Sequence, residues 1–186
     1  MRDWGVSGVL TPEGKALGRT QHRVRPAGTY FITIDSWGGR QFFKGEVAET
    51  LTDQLIQCRE NGHFLLHEFC VLYNHLHTLL TPPPDGTLEK SIQMIKGGAS
   101  FRISKIRKLP ALWQKGYHDW RCRDDDDYKQ YAEYIRQNPV KAGLVEKAED
   151  WPYSSANPRF AKHLDPMPQG LKAGGVGQPV MSTLKG

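Results

Sequence analysis

Apolar positions recur along this chain in two rhythms, and each change of rhythm marks a new element. From Gly28, "TYFITID" is dense in aromatic and β-branched residues and reads as a strand, broken by "WGGR" at Trp37 to Arg40. In "GEVAETLTDQLIQCREN" the spacing of Val47, Leu51, Leu55 and Cys58 is helical, and Gly62 ends the helix. Two strand-like runs follow, "HFLLHEFCVLY" and "HLHTLL", separated around Tyr73 and Asn74, which predicts a tight antiparallel hairpin. After "PPPDG", Thr87 is placed to cap a helix over "LEKSIQMIKGGASFRISKIRK", which Gly97 and Gly98 weaken or interrupt. "ALWQKGYHDWRC" reads as an aromatic-rich strand. Aspartates 124–127 then suit the N-terminal dipole of a last helix, "DDDDYKQYAEYIRQN", predicted to end before Pro139.

The order β-α-β-β-α-β plus a helix predicts an α+β protein. Its core would be a ferredoxin-like antiparallel sheet with two helices on one face, and an additional C-terminal helix. The second face of such a sheet is open to a ligand or to that last helix. Residues 1–24 are polar and aperiodic and read as an N-terminal extension. One domain is expected over residues 25–156, and the Pro- and Gly-rich residues 157–186 read as a flexible tail. A chain of 186 residues is long enough for one well-packed domain and short for two.

Charge and cysteine usage narrow the setting. Lys and Arg number 25 against 20 Asp and Glu, a net charge of +5 that leans modestly toward a polyanionic partner. Cys58, Cys70 and Cys122 are far apart and odd in number, which fits a reducing compartment better than a disulfide framework. The N-terminal residues lack the apolar core of a signal peptide, and no run reaches the length of a membrane span. A soluble cytoplasmic protein with no membrane partner is expected.

The chemistry candidates come from two places. In a strand, His75 and His77 point to the same face, where two imidazoles could share a divalent cation. The competing reading is a pair of hydrogen-bonded core histidines. On the last helix, Tyr128, Tyr131, Ala132 and Ile135 form the packing stripe, with Tyr134 and Asn138 four apart on its edge. Those two could serve a cleft, or act as a packing residue and a helix cap.

"YNHLH", "MIKGGASFRI", "LWQKGYHDWRCRD", "YAEYIRQNPVKAGLV" and "DWPYSSA" stand in an order and spacing that resembles the REP-associated tyrosine transposases. These belong to the wider HUH class of single-strand DNA nucleases and transposases, and the resemblance runs from about Arg25 to Ala156. It implies that His75, His77 and Asn138 hold Mg²⁺ or Mn²⁺, and that Tyr134 is the nucleophile. The implied activity is cleavage and rejoining of single-stranded DNA at REP-like palindromic hairpins through a 5′-phosphotyrosine link. The implied setting is the bacterial cytoplasm, on the nucleoid when DNA is bound, as a monomer or homodimer. Leu72-Tyr73 departs from the Met-Pro pair usual in relatives, which puts the hairpin geometry to the test; Tyr73 is expected to be structural.

Binding residues are expected in the basic segment Lys96, Arg102, Lys105, Arg107 and Lys108, with Arg23 and Arg25 as an N-terminal basic arm. Trp113, Tyr117 and Trp120 suit either base stacking or the sheet core. Asp127 and Glu133 are the acids on the last helix that could assist the phenol. His63 and His67 read as structural, and His118 and Asp119 are given no catalytic role. Two other functions compete: a non-catalytic single-strand nucleic-acid module on the same fold, and a metal-dependent phosphodiesterase that uses water.

Overall fold

The structure is a computed structural model, and it describes residues 27–169 and 171. Arg23 and Arg25, the expected basic arm, lie outside the described residues. Four strands, β1 (Tyr30–Asp35), β2 (Leu65–Val71), β3 (His75–Thr81) and β4 (His118–Arg121), form one sheet in the order β2-β3-β1-β4. Every neighbouring pair is antiparallel. With α1 (Glu46–Glu60) and α2 (Leu88–Ile106) between the strands, this is the expected ferredoxin-like arrangement, and α3 (Asp125–Lys141) follows it.

Period-two alternation divides the sheet into two faces. Tyr30, Ile32, Ile34, Leu66, Phe69, Leu76 and Leu80 join the buried stripes of α1 and α2 in one core. Phe31, Cys70 and Leu79 face the other way and pack under Tyr128, Ala132 and Ile135 of α3. The helix order is therefore two on one face and one on the other. His75 and His77 share the register of Leu79, so they lie on the α3 face.

The helix ends follow their sequences. Thr87 Oγ1 accepts the Lys90 N–H at 3.2 Å, and Asp124 Oδ1 accepts that of Asp127 at 2.9 Å. Gly97 and Gly98 do not interrupt α2. A Cβ at Gly98 would collide with the side chain of buried Gln54 on α1, so this glycine permits the close crossing of the two helices. Helix α3 also overruns its expected end, continuing through Pro139 to Lys141. Proline costs the Ile135 carbonyl its partner, but the final turn is closed by Ala142 N–H to Asn138 O at 2.9 Å and Leu144 N–H to Pro139 O at 3.0 Å.

Three further departures matter. The strand expected over "ALWQKGYHDWRC" shrinks to β4, because residues 112–114 instead bond to the end of β1: Ser36 bridges to Trp113, and Gln114 N–H donates to Asp35 O at 2.9 Å. The ladder between β2 and β3 slips between Leu66 and Glu68. This bulge keeps Leu66 and Phe69 in the same core while both His67 and Glu68 turn toward α3. Last, the tail expected from 157 is packed at its start. Pro158–His163 forms a 3-10 turn, Phe160 is buried against Phe69, and Asp165 takes two hydrogen bonds from Arg59 and one from the Leu66 N–H. Phe160 and Leu164 supply the apolar contacts that the Pro- and Gly-rich composition hides.

Candidate active site

The hairpin closes despite the Leu72-Tyr73 departure, with Leu72 N–H donating to His75 O at 2.9 Å. Tyr73 is a packing residue, its ring edge-on to Trp151 at 5.7 Å between centroids. Trp151 in turn donates from Nε1 to Val71 O at 3.0 Å. Residues 153–155 of "DWPYSSA" run along β2, with Val71 N–H donating to Tyr153 O at 2.8 Å and Ser155 N–H to Phe69 O at 2.9 Å. The motif thus covers the free edge of the strand that leads into the histidines.

The imidazoles of His75 and His77 stand 4.6 Å apart between centroids. Each has one nitrogen engaged. His77 Nδ1 shares a 2.9 Å hydrogen bond with Thr33 Oγ1, and His75 Nδ1 one of 2.8 Å with Asn74 Oδ1. Burial pushes His77 well below the ordinary imidazole range, and the neighbouring His75 pushes it further. Burial also lowers His75, with the carboxylate of Asp35 opposing. Both rings are consequently held neutral near pH 7.

Helix α3 brings the tyrosines over this pair. Tyr128 meets His67 near one end of the sheet, Tyr131 stacks on Phe31 at 4.9 Å, and Tyr134 sits edge-on to His77 at 5.4 Å and to Phe31 at 5.6 Å. The helix therefore advances toward the His75 end. Asn138, buried, comes about 6 Å further along it. Lys141 follows, its Nζ 5.1 Å from the centre of the Tyr134 ring.

Two residues join the cluster that the sequence did not single out for it. Asp35 pairs with His75 across β1 and β3, and its Oδ2 lies 3.7 Å from Nε2 of His118 on β4. The signal was available only as strand register, since Asp35 closes "TYFITID" without any motif around it. Among the described residues no group of three or more His, Cys, Asp or Glu side chains is close enough to hold a metal ion. A third ligand beside His75 and His77 would have to be of another type, as an Asn amide is.

The other expectations fall out as follows. Asp127 is buried as an acceptor for Arg123 Nε at 2.8 Å and Nη2 at 2.9 Å, so it is a helix-start anchor and does not assist the phenol. Glu133 is exposed. Trp113 packs on Phe43 at 5.1 Å, and Trp120 on Phe31 at 5.3 Å. His67 is structural, bonded to Asp165 O at 3.1 Å and Thr81 Oγ1 at 2.8 Å. On α2, Lys96 Nζ donates to Gln114 O at 2.9 Å and Gly116 O at 2.8 Å, and Arg102 reaches Gln57 Oε1 at 3.3 Å. Lys105 covers Phe101 at 4.2 Å, while Arg107 and Lys108 are exposed. Helix α2, which carries Lys96, Arg102 and Lys105 and ends before Arg107 and Lys108, lies on the sheet face opposite Tyr134.

Comparison with known proteins decides the family. The family model described as "Transposase IS200 like" matches residues 37–138, more than half of the chain and the span from the β1–α1 loop to Asn138. The chain belongs to the IS200-like transposases. The REP-associated tyrosine transposase of Escherichia coli (strain K12) is 27% identical over 141 residues, covering 75% of this chain and 83% of that one. A Haemophilus influenzae protein provisionally given the same name is 29% identical over 139 residues, covering 69% of this chain and 79% of its own. The solved structure of a REP-associated tyrosine transposase bound to a REP hairpin superposes with a TM-score of 0.66 at 24% identity, covering 89% of this chain and all of the other. That likeness establishes the shared fold. Among the described residues, no helix is long and apolar enough to cross a membrane.

Proposed function

We propose that this transposase cuts and rejoins single-stranded DNA beside palindromic hairpins, with Tyr134 as nucleophile and a divalent cation on His75, His77 and Asn138. The observation that carries the reading is the ring of Tyr134 set 5.4 Å from His77, above a strand face where two neutral imidazoles lie side by side. The DNA hairpin as partner rests on the solved relative, which holds a REP hairpin.

The donor set suits Mg²⁺ or Mn²⁺. Asn74 Oδ1 can only accept, so His75 Nδ1 carries the proton and Nε2 is left as a lone pair; with Thr33 Oγ1 accepting from His77 Nδ1, His77 would present Nε2 in the same way. An amide oxygen from Asn138 would complete a neutral set, leaving the charge of the cation undiminished for a phosphate. When bound, the cation polarises the scissile phosphate and stabilises the charge that develops on its oxygens.

The chain's own groups do the rest. The phenol oxygen of Tyr134 attacks phosphorus; the P–O bond to the 3′ oxygen breaks, and that oxygen leaves as a 3′-hydroxyl once protonated. The phosphodiester is conserved as a 5′-phosphotyrosine, so rejoining requires only attack by a 3′-hydroxyl and no ATP. Phe31, itself stacked on Tyr131 at 4.9 Å, walls Tyr134 on its sheet side and meets its ring edge-on. Lys141, over the ring at 5.1 Å, keeps a positive charge beside the tyrosine, where it would favour an approaching phosphate.

The test is a covalent adduct. A hairpin oligonucleotide with an unpaired flank, incubated with the protein and Mn²⁺, should give a species that survives SDS and is lost in EDTA. Tyr134→Phe should abolish it while leaving oligonucleotide affinity in place. An adduct of full yield from Tyr134→Phe would move the nucleophile elsewhere, with Tyr131 next in line; cleavage without any adduct would make water the nucleophile.

A further inference from the structure

On α2, Lys96 and Arg102 are engaged with loop carbonyls and α1 glutamines, and the helix lies on the sheet face opposite Tyr134. The loop from β1 to α1 offers a surface at the right end of the sheet. It is tied to the turn that precedes the histidines: Ser36 N–H donates to Asn74 O at 2.8 Å, and Phe43 N–H to Tyr73 O at 2.9 Å. From the other side, Trp37 N–H donates to Leu112 O at 3.0 Å. Asn74 is the residue whose Oδ1 holds His75. This loop is therefore ordered in place within two residues of the histidine pair.

What it displays is an aromatic and cationic surface. Trp37 is 39% exposed, unusual for so large an apolar side chain. The guanidinium of Arg40 lies over it, 4.9 Å from its ring centre, and Lys44 Nζ lies 4.3 Å over the ring of Tyr73. Lys44 also donates to Gln41 Oε1 at 2.6 Å, and among the described residues neither Arg40 nor Lys44 is in an ion pair. Gly38 and Gly39, at φ of 62° and 64°, sit in left-handed conformations with open space where a Cβ would be. A strand can thus come close to the backbone here. Rings that stack bases, alternating with cations that take phosphates, are the chemistry of single-strand recognition. A duplex stem, with its bases already stacked, would leave Trp37 unused.

We propose that Trp37, Arg40 and Lys44 form the track on which the unpaired DNA flank approaches Tyr134, with Trp37 stacking a base and Arg40 and Lys44 holding phosphates. This deepens the reading of the previous subsection and rests on it for the identity of the strand.

Binding is measured on the full chain in EDTA, so that no cleavage intervenes, with two oligonucleotides: a hairpin bearing an unpaired flank and the same hairpin with a blunt stem. Trp37→Ala should weaken the flanked hairpin about tenfold or more and leave the blunt one unchanged, as loss of a stacking ring does. Arg40→Ala with Lys44→Ala should reduce the salt dependence for the flanked hairpin by roughly 1.4 in slope, about 0.7 for each cation lost. Arg107→Ala with Lys108→Ala, just past the end of α2, should do neither. Equal loss on both oligonucleotides, equal loss from the Arg107 and Lys108 pair, or tighter binding of the matching RNA flank than of DNA would each overturn the proposal. Because no cleavage is read, failure of Tyr134 as nucleophile leaves this result standing, and failure here leaves the adduct assay untouched.

Discussion

Glu68 of β2 and Arg136 of α3 form an ion pair that ties the tyrosine helix to the edge half of the sheet. The carboxylate is almost wholly buried, at 3% exposure, and its second oxygen accepts the hydroxyl of Ser155 at 2.5 Å. Arg136 lies between Tyr134 and Asn138 in sequence, so the pair fixes the rotation of the turn that carries both.

Removing the guanidinium leaves a buried carboxylate with the Ser155 hydroxyl alone. Arg136→Met should therefore lower the unfolding free energy by about 1–2 kcal/mol, less than for a fully buried pair because Arg136 is half exposed. Arg136→Lys should recover part of it. Urea unfolding of the three proteins measures this, and equal midpoints would show that the pair carries no stability.

Thr33 holds His77 through its hydroxyl and takes no part in the proposed chemistry itself. Thr33→Val keeps the shape and removes the 2.9 Å hydrogen bond that orients the ring. Mn²⁺ affinity by calorimetry and the rate of adduct formation should each fall by about 10–100-fold, with the fold retained. Unchanged Mn²⁺ affinity would mean that Thr33 does not set the tautomer.

Acid should weaken the protein in two steps. Burial lowers His67, His75 and His77, so between their folded values and the unfolded value near 6.5 the unfolded chain binds more protons. Stability therefore falls as pH drops from about 7 to about 5. Asp127 and Asp165 are held low by hydrogen bonds from Arg123 and Arg59; their contribution is present above about 4 and is lost as pH falls through their folded values. Urea titrations at stepped pH should show both declines, and His67→Gln should flatten the first. A stability independent of pH from 7 to 5 would contradict it.

A chain ended at residue 156 would lose Phe160 from the core and Asp165 from Arg59. A buried phenylalanine alone is worth about 3–5 kcal/mol, so this truncation should unfold at markedly lower urea than the full chain. A matching midpoint would return these residues to the flexible tail.

Local periodicity made the element order, the ends of α1 and the shared face of His75 and His77 readable, because each depends on neighbours in sequence. Tyr134 and Asn138 were readable for the same reason, being one helical turn apart. Asp35 and His118 were not, since only strand register brings them beside the histidines. Lys96 and Arg102 were readable only as charge: the pattern suggests a nucleic-acid helix, and it could not show that packing also brings them to loop carbonyls and α1 glutamines. Residues 158–165 misled through composition, which cannot show that a single phenylalanine and a single aspartate have partners more than 90 positions away.

The bulge at His67 and Glu68 breaks the alternation of β2. Strand residues otherwise alternate sides, whereas between Leu66 and Phe69 two successive side chains share one. Deleting one residue there would remove the bulge and leave Leu66 and Phe69 two apart on the same side, so the core register would survive, but a single residue would then face α3 where His67 and Glu68 both do now. The extra residue is thus what lets one strand offer α3 two ties, the imidazole that meets Tyr128 and the carboxylate that pairs with Arg136, and its loss would loosen the tyrosine helix without touching His75 or His77.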